Sequence, residues 1–162
     1  MVVTLAAGQT GCALLEGLKG IVQVPQFSEA EGQPSEIRLL GPGQAGPLGG
    51  AAIRIWTRVR NPNPFGLTLS TLRGALFLEG SRAADADFPL GLPLAAGGES
   101  IVPLDLRVSF SDIPGLADAI RKAIGGRDLA YRLDGTVGVD AGQWGRPTFG
   151  PMTLLTGDLR TR

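Results

Sequence analysis

Residues 53–70 read IRIWTRVRNPNPFGLTLS, and the change of character in the middle of this stretch decides the fold. In the first eight residues Ile53, Ile55, Thr57 and Val59 fall on one side while Arg54, Trp56, Arg58 and Arg60 fall on the other, the period of a half-buried strand. The strand must then stop. Pro62 and Pro64 have no N–H to give a ladder, and each pushes the asparagine before it, Asn61 or Asn63, into an extended conformation. The asparagine side chains can bond nearby backbone in place of the ladder bonds the prolines forbid.

Outward from this point the chain reads as strands with turn punctuation at sandwich-like spacing. Strands are expected at 35–40, 51–60, 67–80, 81–88, 101–111, 130–140 and 148–160, with a Pro- and Gly-rich break at 89–98. The 101–111 segment is the cleanest, because Val102, Leu104, Leu106, Val108 and Phe110 share one face. After it the period becomes helical. Leu116, Ile120, Ala123 and Ile124 form an apolar stripe that Gly125 and Gly126 end. The expectation is an all-β domain of seven strands with one short α-helix.

The segments NPNPFGLTLS, IVPLDLRVS (101–109) and LAYRLDGTVGVD (129–140), in that order, resemble the WHy (water stress and hypersensitive response) domain of the group 2 late embryogenesis abundant proteins, here as a bacterial member. The resemblance covers about residues 34–162. It implies a fibronectin type III or immunoglobulin-like β-sandwich and a role in protection from desiccation, oxidation or cold. It implies no catalytic residue.

Composition bounds the function independently. With 162 residues, 43% hydrophobic and 19% charged, the chain can bury a real core and is not one of the disordered stress proteins. Fifteen basic residues balance fifteen acidic ones, which removes the long-range attraction that non-specific nucleic-acid binding needs. There is no histidine, hence no imidazole base or metal ligand. Asp85 and Asp87, and Asp134 and Asp140 in DGTVGVD, lack calcium-loop spacing and read as solvated positions on loops or outer strand faces. No metal site, cofactor or catalytic residue is expected, and the protein is read as no enzyme.

Residues 1–33 are read as a flexible N-terminal segment: a degenerate lipoprotein signal with lipid attachment at Cys12, the single cysteine, then a Gly/Gln/Glu/Pro-rich tether ahead of a 34–162 domain. That reading places the protein in the cell envelope or periplasm, membrane-associated if Cys12 is lipidated and otherwise cytoplasmic. Two functions fit. One is a monomeric, non-catalytic stress-protective protein that binds partly unfolded clients or a membrane surface and limits aggregation. The alternative is a structural or accessory module of the envelope. The residues singled out are Asn61, Pro62, Asn63 and Pro64 as a structural motif, and Arg54, Trp56, Arg58 and Arg60 as a contact surface.

Overall fold

Alternating burial along β3 (Gly50–Arg60) organises one half of the molecule. The computed structural model describes residues 21–111, 121–123 and 125–162. In it β6 (Glu99–Ser109) runs antiparallel along the whole of β3, from Gly50↔Ser109 to Arg60↔Glu99. The other edge of β3 is shared. β2 (Glu36–Leu40) pairs with its first half and β1 (Gln26–Glu29) with its last four residues. Where β1 and β2 break opposite Trp56, the ladder is patched: the Trp56 N–H donates to Ser35 Oγ at 3.1 Å, and Ala30 N–H donates to the Trp56 carbonyl at 3.0 Å.

A second antiparallel set runs in the order β5 (Ser81–Leu94), β4 (Leu67–Leu78), β7 (Leu129–Asp140) and β8 (Thr148–Thr161). The end of β8 crosses to pair in parallel with β2 at Glu36↔Arg160 and Ile37↔Thr161, which makes the strands one continuous path. Ile53, Ile55, Val59, Leu104 and Leu106 from the first set and Leu69, Leu72, Leu76, Leu133 and Leu155 from the second belong to one buried cluster. Burial of these side chains is the main favourable term holding the two sets together.

The described residues are nearly all-β, as the period-2 segments require, but they depart from expectation in three places. Eight strands occur among the described residues rather than seven. The extra one, β1, lies in the stretch read as tether; its QFSE sequence carries no alternation, and it forms because β3 outlasts β2 and leaves an open edge. β5 continues to Leu94 through Pro89 and Pro93, where a break was expected. It can do so because, among the described strands, β5 is bonded only to β4, so N–H groups missing on its outer side cost no ladder bond there. A 3-10 turn at Gly142–Trp144 had no sequence signal.

The helix expected at 116–124 falls largely outside the described residues, within which 121–123 are helical. Its end is closed as anticipated: Gly126, at φ +71°, donates to the Ala123 carbonyl while Arg127 N–H donates to that of Lys122. In the middle of β4 and β7, Gly74 faces Gly135, and a Cβ on Gly74 would stand 1.8 Å from the Asp134 carbonyl oxygen. No side chain fits there.

Candidate functional site

The two prolines and two asparagines of residues 61–64 alternate in burial as a strand would, with the asparagines inside. Asn61 is 0% and Asn63 1% exposed. Asn61 Nδ2 donates to the carbonyls of Phe65 (2.8 Å) and Ala95 (3.0 Å), and its Oδ1 accepts from Asn63 N–H (3.0 Å) and Asn63 Nδ2 (2.9 Å). Asn63 then reaches back toward the N-terminus, donating from Nδ2 to the Gln23 carbonyl and accepting Gln23 N–H at 2.7 Å. Main-chain bonds from Asn61 N–H to Gly98 and from Gly97 N–H to Asn63 complete the node. The asparagines thus satisfy part-buried backbone of Gln23 ahead of β1, of Phe65 in the loop after β3 and of Ala95 in the β5–β6 connection at one point. Phe65, next along, stacks on the half-exposed Trp144 at 5.6 Å between ring centroids.

β1 has a second anchor. The Tyr131 hydroxyl donates to Glu29 Oε1 at 2.8 Å, and Tyr131 is buried. Burial first, and then the Glu29 carboxylate, push the phenol well above its ordinary value of 10.0. A third lock lies at the β4–β5 turn, where Glu79 accepts Lys122 Nζ and Ala130 N–H, each at 2.9 Å. The Lys122 bond, followed by the Ala130 bond, holds the Glu79 carboxyl below its usual range.

The alternate side of β3 faces outward. Ile53, Ile55, Thr57 and Val59 are buried, whereas Arg54 and Arg60 are exposed and Trp56 and Arg58 half-buried. Arg54 makes a bidentate pair with Asp105 at 2.7 and 3.0 Å and lies over the Trp56 ring at 5.7 Å. The Asp105 bond raises the Arg54 pKa, and the same bond lowers that of Asp105. Neither Arg58 nor Arg60 has an ion pair within the described residues, and Arg58 Nε is shielded from solvent without a hydrogen-bond partner. Thr57 Oγ1, on the opposite face, is likewise buried and unbonded. Register places Pro103 opposite Trp56 and Ile101, 44% exposed, opposite Arg58.

The acidic residues flagged in the sequence are engaged at the surface: Asp85 with Arg82, Asp87 with Arg73, Asp134 with Arg132 and Thr153, Asp140 with Arg146. Among the described residues no group of three or more His, Cys, Asp and Glu is placed to hold a metal ion, and no helix is long and apolar enough to cross a membrane. Cys12 lies outside the described residues. Sequence reasoning missed the basic neighbours of the β3 face, Arg38 on β2 and Arg107 on β6. Nothing in a linear pattern could align them, because both oppose Ala52 through register alone.

Comparison with known proteins adds a family and a fold. The model of a late embryogenesis abundant protein family matches residues 57–153. The solution structure of AT1g01470 from Arabidopsis thaliana superposes with a TM-score of 0.56 at 16% identity, over 86% of this chain and 83% of that one. The solution structure of At2g46140.1, described as a late embryogenesis abundant (LEA) protein, gives 0.50 at 18% identity, over 95% of this chain and 84% of that one. No curated protein sequence matches significantly.

Proposed function

This chain belongs to the late embryogenesis abundant protein family whose model it matches over residues 57–153, and from that premise we propose that it is a non-catalytic, stress-protective binding protein. In this reading it is a WHy-type module with a fibronectin- or immunoglobulin-like arrangement of its strands. Partly unfolded proteins or a membrane surface meet it on the outward face of β3. The 61–64 motif belongs to the scaffold: both asparagines are sealed inside, with their side chains spent on backbone.

The observation that carries the reading is Trp56, held half-open on that face beneath Arg54 and beside an Arg58 whose Nε lacks a partner. Aromatic and arginine side chains are enriched where proteins bind, since each offers apolar area together with directed polar contact. Attachment through a lipid on Cys12 would hold a monomer at the cell envelope, and mass spectrometry of the mature N-terminus tests it.

The function is tested by drying or heating a model enzyme with and without the protein. Protection at near-stoichiometric ratio, absent with an unrelated β-sandwich domain, is expected. Equal protection by both would favour an accessory envelope module with no protective role of its own.

A further inference from the structure

The basic character of the β3 face extends beyond the strand itself. Arg38 on β2 and Arg107 on β6 both stand in register with Ala52, so one row across the sheet reads Arg, Ala, Arg. Strands lie about 4.8 Å apart, which puts the two arginine backbones roughly 10 Å from each other. Between them Ala52 contributes only a methyl group. The result is a surface depression of about 690 Å³ lined by Arg38, Ala52, Arg54, Arg107 and Arg162 with Glu36 and Asp105.

Its two carboxylates are already committed, Asp105 to Arg54 at 2.7 Å and Glu36 to Arg162 at 3.2 Å. Arg38 and Arg107 are exposed and have no ion pair among the described residues. Two uncommitted guanidinium groups over a small residue suit a phosphate oxyanion, which each can grip through paired N–H donors. On the same face, towards the other end of β3, Trp56, Pro103 and Ile101 make an apolar ridge with the unsatisfied Arg58 beside it. An indole on apolar neighbours, with arginines at the same level, is the combination that settles at a lipid–water boundary.

We propose that the outward face of β2, β3 and β6 docks on an anionic lipid bilayer, with Arg38 and Arg107 gripping a headgroup phosphate over Ala52 and the Trp56–Pro103–Ile101 ridge entering the interface. This rests on the reading of the β3 face as the contact surface and names its partner. Charge decides between candidate occupants. An unfolded client of average composition offers no consistent negative charge to a depression whose arginines exceed its acids by two (Arg38, Arg54, Arg107 and Arg162 against Glu36 and Asp105). An anionic leaflet offers phosphates at every position.

The test is flotation of the full chain with phosphatidylcholine vesicles and with vesicles containing about one third phosphatidylglycerol, at low and high salt. Binding is expected to the second kind only and to weaken with salt. R38Q/R107Q should bind about 25-fold more weakly, taking roughly fivefold per arginine at a charged surface. The charge-matched control R73Q/R82Q, on the other set of strands, should bind as the parent does, and all variants are checked for unchanged melting temperature.

The proposal is overturned by no preference for anionic vesicles, by equal loss in the two double variants, or by displacement by inorganic phosphate at matched ionic strength, which would mark a free-anion site. Tight, Arg38- and Arg107-dependent binding of polyglutamate without vesicle binding would overturn it in favour of an acidic protein partner. The lipid-free enzyme-protection assay separates this from the reading beneath it. If W56S loses protection while vesicles never bind, the lipid proposal falls and the contact surface stands; if Trp56 matters in neither assay, both fall.

Discussion

Replacing Asn61 with alanine should remove about 3–5 kcal/mol of stability, far more than an ordinary loop substitution. The figure follows from what the side chain holds. Its two close donated bonds go to part-buried carbonyls, of Phe65 and Ala95, that water can reach after the change, so each costs roughly 1 kcal/mol. Its Oδ1 serves two donors of Asn63 in fully buried bonds, and stranding them adds about 1–3 kcal/mol. Against a typical total of about 5–15 kcal/mol the variant is left marginal. Urea unfolding followed by tryptophan fluorescence measures it well, since Trp144 stacks on Phe65 beside the node. Asn61→Asp refines the test. It keeps the acceptor for Asn63 but turns an oxygen on the Phe65 and Ala95 carbonyls, so at neutral pH it should lose at least as much as alanine. Relative to the parent, part of that loss should return in acid, where a protonated carboxyl supplies a donor again. A loss below about 1 kcal/mol for Asn61→Ala would refute the claim that this node fastens the chain.

Deleting residues 1–32 removes β1, the buried Val22 and the Gln23 bonds to Asn63, and should lower the melting temperature by about 10 °C or more; an unchanged transition would show that β1 adds nothing. Thr57→Val should raise stability by about 1 kcal/mol in chemical denaturation, because it trades a buried, unbonded hydroxyl for a methyl of the same shape, and any loss would mean that the hydroxyl is satisfied. Because the folded state raises the Tyr131 pKa, the stability it contributes is complete below the unfolded value of 10.0 and declines as pH rises beyond it. Tyr131→Phe should therefore flatten the alkaline arm of the stability curve above pH 10, and an unaltered slope would contradict the burial of that phenol.

Much of the scaffold was legible because strand period and proline chemistry are local. The buried and open sides of β3, β6 and β7 follow from alternation, and Pro62 and Pro64 mark the end of β3 without tertiary information. What was hidden depends on neighbours distant in sequence. The partners of Asn61 and Asn63 lie 34 and 40 residues away, at Ala95 and Gln23. β1 is a strand only because β3 offers an edge, and β5 passes its prolines because no described strand pairs on its outer side. The Arg38–Ala52–Arg107 row is likewise a product of register. A strongly periodic segment announces itself, whereas a short polar edge strand or a row of charges spread over three strands does not.

Trp56 is the side chain on which the proposed protective role of the β3 face most directly depends. The measurement is the activity a model enzyme retains after drying with Trp56→Ser, set against the parent protein and against Asn61→Ala assayed below its own unfolding transition. Trp56 is half-buried on an outer face, so the serine variant should lose no more than about 2 kcal/mol, well short of the roughly 3–5 kcal/mol of an emptied aromatic core site. It should remain folded yet protect markedly less, while Asn61→Ala, unstable but with its outer face intact, protects as the parent does. Full protection by the serine variant, or protection that tracks stability across both variants, would contradict the claim that this face is where the protein acts.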